Sequence, residues 1–387
     1  MKTPQSTVAF PPKTPKRNRH SRQPVRRKPS RWKQLCIAGL VVAIVIVATT
    51  VGAVIGARVN RYPDYDPLNY RLRDTYQGIS FFDGFRYFSD TDPTNGFVVY
   101  VTRDVAQDQN LTYASDHSAV LRVDTTTPRA LAGRKSVRVE SIATYSTGLF
   151  IFDIIHTPYG CGTWPALWLT DGYNWPQNGE IDILESTNGG LYGNEVSLHT
   201  TDGCSMDVKR KQTGSSSLSQ CGLSSSGNLG CGVLGGSSTY GQELNANGGG
   251  VSLFPNDLIC VMHVAPANHI VSQVYALELR EAGIRVWFFP QGTAPSDIAY
   301  SSPTPNPSQW GTALADFPST ECNIHSHFRN LSIIINIALC GDMAAQPFYY
   351  KSLYDCPSTC TDFVANNPSD FQEAYWEFGS FKVFQAI

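Results

Sequence analysis

Three carboxylates stand within six residues at Glu180-Ile-Asp-Ile-Leu-Glu185, with apolar residues in the gaps. Glu180 and Asp182 are two apart, so on a strand they share a face. Glu185 is five from Glu180, and strict alternation puts it on the opposite face. One extra residue between Asp182 and Glu185, a β-bulge, returns it to the first face. Carboxylates held together repel and raise one another's proton affinity. Such a cluster suits chemistry in which one group is an acid and its neighbour a base. The plainer readings are a metal site or an exposed acidic strand.

The stretch before the cluster is rich in tryptophan. It reads Gly160-Cys-Gly-Thr-Trp-Pro-Ala-Leu-Trp168 and then Asn174-Trp-Pro-Gln-Asn-Gly179. Trp164, Trp168 and Trp175 are three of the seven Trp in the chain. Aromatic faces beside paired carboxylates suit a carbohydrate, whose C–H faces stack on rings while its hydroxyls take hydrogen bonds. Core packing is the alternative for any single Trp. The clustering makes Trp164 and Trp168 candidates for a substrate cleft, and His199 a candidate to touch substrate or the acid/base pair.

Other chemistries find less support. No Gly-x-Ser-x-Gly elbow occurs, so a serine hydrolase has no nucleophile motif. Cys322-Asn-Ile-His325-Ser-His327 has zinc-like residue types, but no second ligand pair has suitable spacing. Asp90-Thr-Asp92-Pro-Thr-Asn95-Gly96 starts like a calcium loop, lacks the closing Glu, and reads as a turn. Gly230-Cys-Gly232-Val-Leu-Gly235 spells a dinucleotide fingerprint with no strand expected before it and no helix after it.

Around these residues the chain changes character. Residues 1–34 hold eleven Lys and Arg, no Asp or Glu, and many Pro, a composition expected to be disordered. Residues 35–57 follow without one charge, long enough to span a bilayer as a helix. The basic excess before this run places the N-terminus in the cytoplasm and the C-terminus outside. The expectation is an uncleaved signal anchor and a type II membrane protein, with secretion after cleavage as the alternative. A membrane span directly after the basic leader argues against nucleic acid as its partner; the lipid bilayer is the expected one. Nothing in the sequence speaks to oligomeric state.

Beyond residue 57 there are 19 Lys and Arg against 32 Asp and Glu, which does not suit a polyanionic partner. Nine cysteines lie there, enough for four disulfides with one left over. Asn110-Leu-Thr112 and Asn330-Leu-Ser332 are N-glycosylation sequons on that side.

Helical periodicity is scarce in this region. Strands are predicted over 97–103, 136–145, 148–155, 166–169, 180–185, 195–199 and 258–264, a hairpin over 274–280 and 284–289, and a strand buried on both faces over 332–339. Residues 212–250, rich in Ser, Gly and Asn, read as a surface insertion tied by Cys221 and Cys231. The fold class is all-β, an antiparallel sandwich or jelly roll.

At this point a family resemblance emerges. Gly179-Glu-Ile-Asp-Ile-Leu-Glu185 resembles the active-site signature of glycoside hydrolase family 16 in its bulged, laminarinase form. Gln77-Gly-Ile-Ser-Phe-Phe-Asp-Gly-Phe85, the run His156–Trp168, Leu198-His-Thr-Thr-Asp-Gly-Cys204, Val286-Trp-Phe-Phe-Pro290 and Asn336-Ile-Ala-Leu-Cys-Gly-Asp342 are similar to fungal endo-1,3(4)-β-glucanases. The resemblance implies a concanavalin-like jelly roll with a concave cleft. It implies hydrolysis inside β-1,3 or mixed β-1,3/1,4-glucan chains of the cell wall, with retention. Glu180 matches the nucleophile, Glu185 the general acid/base and Asp182 the assisting carboxylate. Retention requires the two key carboxyls about 5–5.5 Å apart, which neighbours on one strand face can provide.

No cofactor or metal is expected; structural calcium is compatible with the resemblance but not predicted. A cell-wall glucan transglycosylase and a non-catalytic β-glucan-binding protein are the alternatives, the latter needing none of the three carboxylates. Two departures stand out. Met343 occupies a position where the family usually has Trp, and Ser186-Thr-Asn188 replaces a common Gly-Val-Asn. The expected organisation is a tail at 1–34, an anchor at 35–57, a short stalk at 58–75 and a catalytic domain at 76–387.

Overall fold

The computed structural model describes residues 30–59, 61–247 and 272–387. The chain divides into two units, Met1–Gly56 and Ala57–Ile387. In the first, a helix begins at Arg31 and runs to Val59. It is long and apolar enough to cross a membrane, with a mean hydropathy of 2.7. Its two threonines are satisfied within the helix: the Thr49 and Thr50 hydroxyls donate to the carbonyls of Val45 and Ile46, 2.9 and 2.7 Å away.

The second unit is the expected all-β sandwich. One eight-stranded sheet carries the carboxylates. Its strands run, in spatial order, Ser215–Ser216, Cys231–Leu234, Glu195–His199, Glu180–Glu185, Thr163–Thr170, Ser332–Leu339, Arg138–Ser141 and Phe85–Phe88. The Glu180–Glu185 strand therefore lies in the interior of the sheet, paired on both sides. The opposite sheet is built mainly from Gly148–His156, Gln273–Arg280, Gly283–Phe289 and Tyr375–Ala386. Alternation fixes which side chains meet between the sheets. Leu167, Leu169, Ile181, Ile333 and Ile335 point inward from one, and Phe150, Phe152, Leu277 and Phe381 from the other, into one core. A smaller core on the far side of the opposite sheet joins Leu149, Ile151, Trp287 and Trp310.

The catalytic region does not begin where the sequence suggests. Tyr70–Gln77 forms a strand paired with the C-terminal strand Tyr375–Ala386, so residues 70–75 belong to the sheet and not to a stalk. Tyrosines secure this entry. The buried Tyr70 hydroxyl donates to Glu278 at 2.7 Å, and Tyr65 donates to Asp316. Glu278 is itself paired with Arg280 and Arg285. A run of Arg, Asp and Thr hides the strand from pattern reading, because only Tyr70 and Tyr76 of its residues are buried.

Four disulfides join Cys161–Cys356, Cys204–Cys322, Cys221–Cys231 and Cys340–Cys360. The zinc-like reading of Cys322 ends there. Asp92 accepts from the backbone N–H of Thr94 and Gly96, at 3.2 and 2.8 Å, and so caps a turn. Residues 212–250 are not wholly a surface insertion. Cys231–Leu234 is a strand of the carboxylate sheet, with Cys231 and Val233 buried, so the glycine pattern there serves a strand. The strand predicted over 97–103 is shorter, Val98–Tyr100, because Thr102 begins a helix over Arg103–Asp108. The strand predicted over 258–264, and Cys260, lie outside the described residues.

Candidate active site

The bulge is present. Asp182 pairs with Trp168 and Leu184 with Leu167, so Ile183 is the extra residue. Ile183 and Leu184 are both fully buried in the core. Glu180, Asp182 and Glu185 consequently share the outer face of the sheet.

A bulge in a buried strand strands backbone polar groups, which is costly unless they find partners. Asn194 supplies both. Its Oδ1 accepts from the Glu185 N–H at 2.9 Å and its Nδ2 donates to the Ile183 carbonyl at 2.7 Å. Asn194 is itself fully buried, and its own N–H donates to the Thr239 hydroxyl at 2.9 Å. Sequence reading missed it, because a single Asn carries no spacing signal.

The face around the carboxylates is polar and aromatic. The Trp164 indole N–H donates to Glu185 at 2.8 Å, and the Trp168 indole to Asn336 at 2.8 Å. Ser197 donates to Asp182 at 2.7 Å, and His199 Nε2 stands 3.3 Å from the same carboxylate. Arg138 lies between two rings, 4.5 Å from Phe88 and 5.0 Å from Trp168, and is paired with Glu140 at 2.8 Å. Ser197, Arg138 and Asn336 join the site without having been singled out on sequence. Glycine keeps the floor low beneath His199: a Cβ on Gly230 would stand 2.7 Å from its ring.

These surroundings shift the titrations. Burial, then the Asp182 charge, raises Glu185 to about 8. The same two causes raise Glu180, to about 7, while His199, the Trp175 indole and Arg138 favour its charged form. For His199, burial opposes the imidazolium, but its hydrogen bond to Asp182 and the surrounding carboxylates prevail and lift it to about 9. Glu180, Asp182 and His199 form the one grouping with metal-ligand spacing among the described residues. With its proton affinity raised, the His199 imidazole faces these carboxylates as a cation.

Residues 85–257 and 265–384 match the profile of the XgeA-like, catalytic GH16 domain. The chain belongs to glycoside hydrolase family 16. A Schizosaccharomyces pombe protein described as a probable glycosidase is 41% identical over 330 residues, covering 84% of this chain and 72% of that one. The Emericella nidulans endo-1,3(4)-β-glucanase xgeA is 35% identical over 329 residues, 82% of this chain. The chain spans 47% of that longer relative. Among solved structures, a mutant laminarinase 16A that cyclizes laminariheptaose superposes with a TM-score of 0.74 at 41% identity, covering 82% of this chain and all of that one. An elongating family 16 β-1,3-glucosyltransferase superposes with a TM-score of 0.70 at 37% identity, covering 82% of this chain and all of that one. This family 16 domain is thus a glycoside hydrolase on a jelly-roll scaffold.

Replacing Asn194 by Ala leaves the Glu185 N–H and the Ile183 carbonyl without partners. The expected loss is about 2–4 kcal/mol of unfolding free energy. Urea unfolding followed by tryptophan fluorescence measures it; a loss below about 0.5 kcal/mol would contradict the role given to this amide.

Proposed function

We propose that this protein is an endo-acting β-glucan hydrolase that cleaves internal β-1,3 or mixed β-1,3/1,4 linkages of cell-wall glucan with retention. The observation that carries the reading is the bulge, which puts three carboxylates of one strand on one face, in a family 16 domain. Glu180 attacks the anomeric carbon while Glu185 donates its proton to the leaving oxygen. Glu185 then removes a proton from water, which releases the sugar from Glu180. Asp182, anchored by Ser197 and His199, orients Glu180 and keeps the acid's proton affinity high. Trp164 holds Glu185, and Trp168 with Arg138 offers a face for sugar rings. This chemistry uses the protein's own carboxylates and water, and routes no step through a cofactor.

Glucan transfer is the second reading, favoured by the likeness to the elongating β-1,3-glucosyltransferase. The two share every step up to the glycosyl-enzyme. With laminarin, lichenan and cellulose as substrates, the wild type is expected to generate new reducing ends on at least one of the first two. Glu180→Gln is expected to be slower by about 10³-fold or more. Absence of new reducing ends on any β-glucan would remove the hydrolase reading.

The pH dependence follows from the same groups. Glu185 must be protonated, so activity falls as pH rises through its pKa. Glu180 must be ionised, so activity also falls as pH drops through its own. Asp182→Asn removes a negative charge that raises both, and should move both limbs of the kcat/KM profile to lower pH. Limbs that stay in place, or move upward, would refute that assignment.

We further propose a type II arrangement. Residues 35–57, within the Arg31–Ala57 apolar helix, cross the bilayer as an uncleaved anchor, residues 1–34 lie in the cytoplasm, and the catalytic domain lies outside with N-glycans on Asn110 and Asn330. Both asparagines are exposed. Protease shaving of intact cells should remove the catalytic domain and leave the basic leader. A domain that survives shaving while a known surface marker is lost would reverse the orientation.

A further inference from the structure

Glu180 is the first residue of its strand, so the loop before it sets where its backbone begins. On the sheet it pairs with Thr170 on one side and His199 on the other. Residues 171–179 carry the chain from Thr170 back to Glu180. The loop closes on Gly179, with a φ of 76°, where a Cβ would stand 2.3 Å from the His327 carbonyl oxygen. Apolar burial does not hold this loop: residues 172–175 and Gln177 are exposed, Tyr173 by 91%.

A carboxylate that the chemistry above does not use holds it instead. Asp171 opens the loop and is buried. Its Oδ2 accepts from three side-chain amides, those of Asn174 at 2.9 Å, Asn178 at 2.7 Å and Asn330 at 3.0 Å. Its Oδ1 accepts from the Tyr173 N–H at 3.1 Å. Burial opposes the charge, yet these donors prevail and keep the carboxyl below its ordinary range. Such charge-assisted bonds are the strong ones.

The donors come from more than one element. Asn174 and Asn178 belong to the loop. Asn330 stands just before Ser332–Leu339, whose Ser332 also pairs with Thr170. One oxygen atom therefore gathers the ends of three neighbouring strands, at the end where Glu180 sits. Backbone bonds reinforce it: the Asn178 N–H donates to the Asn174 carbonyl at 2.9 Å, and the Arg329 N–H to the Asn178 carbonyl at 3.1 Å. The Thr170 hydroxyl donates to the Gly179 carbonyl at 2.8 Å.

We propose that Asp171 is a positioning residue for the nucleophile: its carboxylate fixes residues 172–179, and through them the place from which Glu180 attacks. The proposal rests on the role given to Glu180 above. Asp171 acts through Glu180 alone, so its loss slows the attack and spares sugar binding. Asn330 has two compatible tasks. An N-glycan takes one of its two amide hydrogens and leaves the other for Asp171.

The test uses the full-length protein in detergent micelles. On laminarin, Asp171→Ala should lower kcat about ten- to hundredfold, with KM held within about twofold. Asn330→Gly suits the positive φ at that position and removes one amide; it should lower kcat about three- to tenfold. Ser332→Ala destroys the sequon, spares the amide, and should keep the wild-type kcat. A second assay takes the nucleophile away. In Glu180→Gly, azide attacks the anomeric carbon of dinitrophenyl β-laminaribioside, dinitrophenolate leaves, and a glycosyl azide forms. Adding Asp171→Ala should change that rate by less than about twofold, because no carboxylate is left to place. Where Asp171→Ala does not fold, Asn330→Gly, at an exposed turn, makes the same comparison. An unchanged kcat in either variant, or an equal loss in the azide reaction, overturns the positioning role. A loss in Ser332→Ala equal to that in Asn330→Gly assigns the effect to the glycan and overturns the part given to the amide. A Glu180→Gly protein that azide does not revive overturns the nucleophile assignment itself.

Discussion

One side-chain amide holds the site's geometry. The central strand must present three acids outward while its apolar residues fill a closed core, and strict alternation cannot do both. Ile183 resolves the conflict by adding one inward residue. The backbone groups it leaves unpaired are satisfied by Asn194. Asn194 is held in turn by Thr239, whose carbonyl accepts from the Tyr275 hydroxyl at 2.6 Å. Tyr275 belongs to the opposite sheet. The position of Glu185 is thus referred across the whole sandwich, and a rigid scaffold rather than a loop sets the spacing between the acids.

The charge state depends on that geometry. Asp182 is buried and the two glutamates beside it are partly withdrawn from water, so ionising all three without compensation would be costly. His199 supplies a cation against Asp182, and the Trp164 indole a donor to Glu185. Both glutamates hold their protons above the ordinary carboxylate range, but with different neighbours: the Trp164 indole donates to Glu185, while Glu180 is the cross-strand partner of His199. On the roles proposed for them, difference of environment rather than of residue type would separate acid from nucleophile.

Much of this was legible in the sequence because it rests on short-range rules. The Glu180–Glu185, Glu195–His199 and Ser332–Leu339 strands have the bounds their apolar patterns predict. The spacing of the acids encoded the bulge. What escaped was set at long range. Tyr70–Gln77 is a strand only because the C-terminal strand, some 300 residues later, offers it an edge. Cys231–Leu234 looked like a glycine loop because its strand character comes from Glu195–His199 beside it. Asn194 and Ser197 are anonymous residues until the fold brings them to the bulge and to Asp182.

The pairing of the first and last strands has a topological consequence. Ile387 N–H donates to the Asn69 carbonyl at 3.0 Å, so the two ends of the sandwich are hydrogen-bonded neighbours. The domain is almost a closed ring, open at one seam. Appending a module after Ile387 would bring it out beside the point where the chain enters the fold. A short linker across the seam would permit circular permutation, with new ends cut at a surface turn far from the acids.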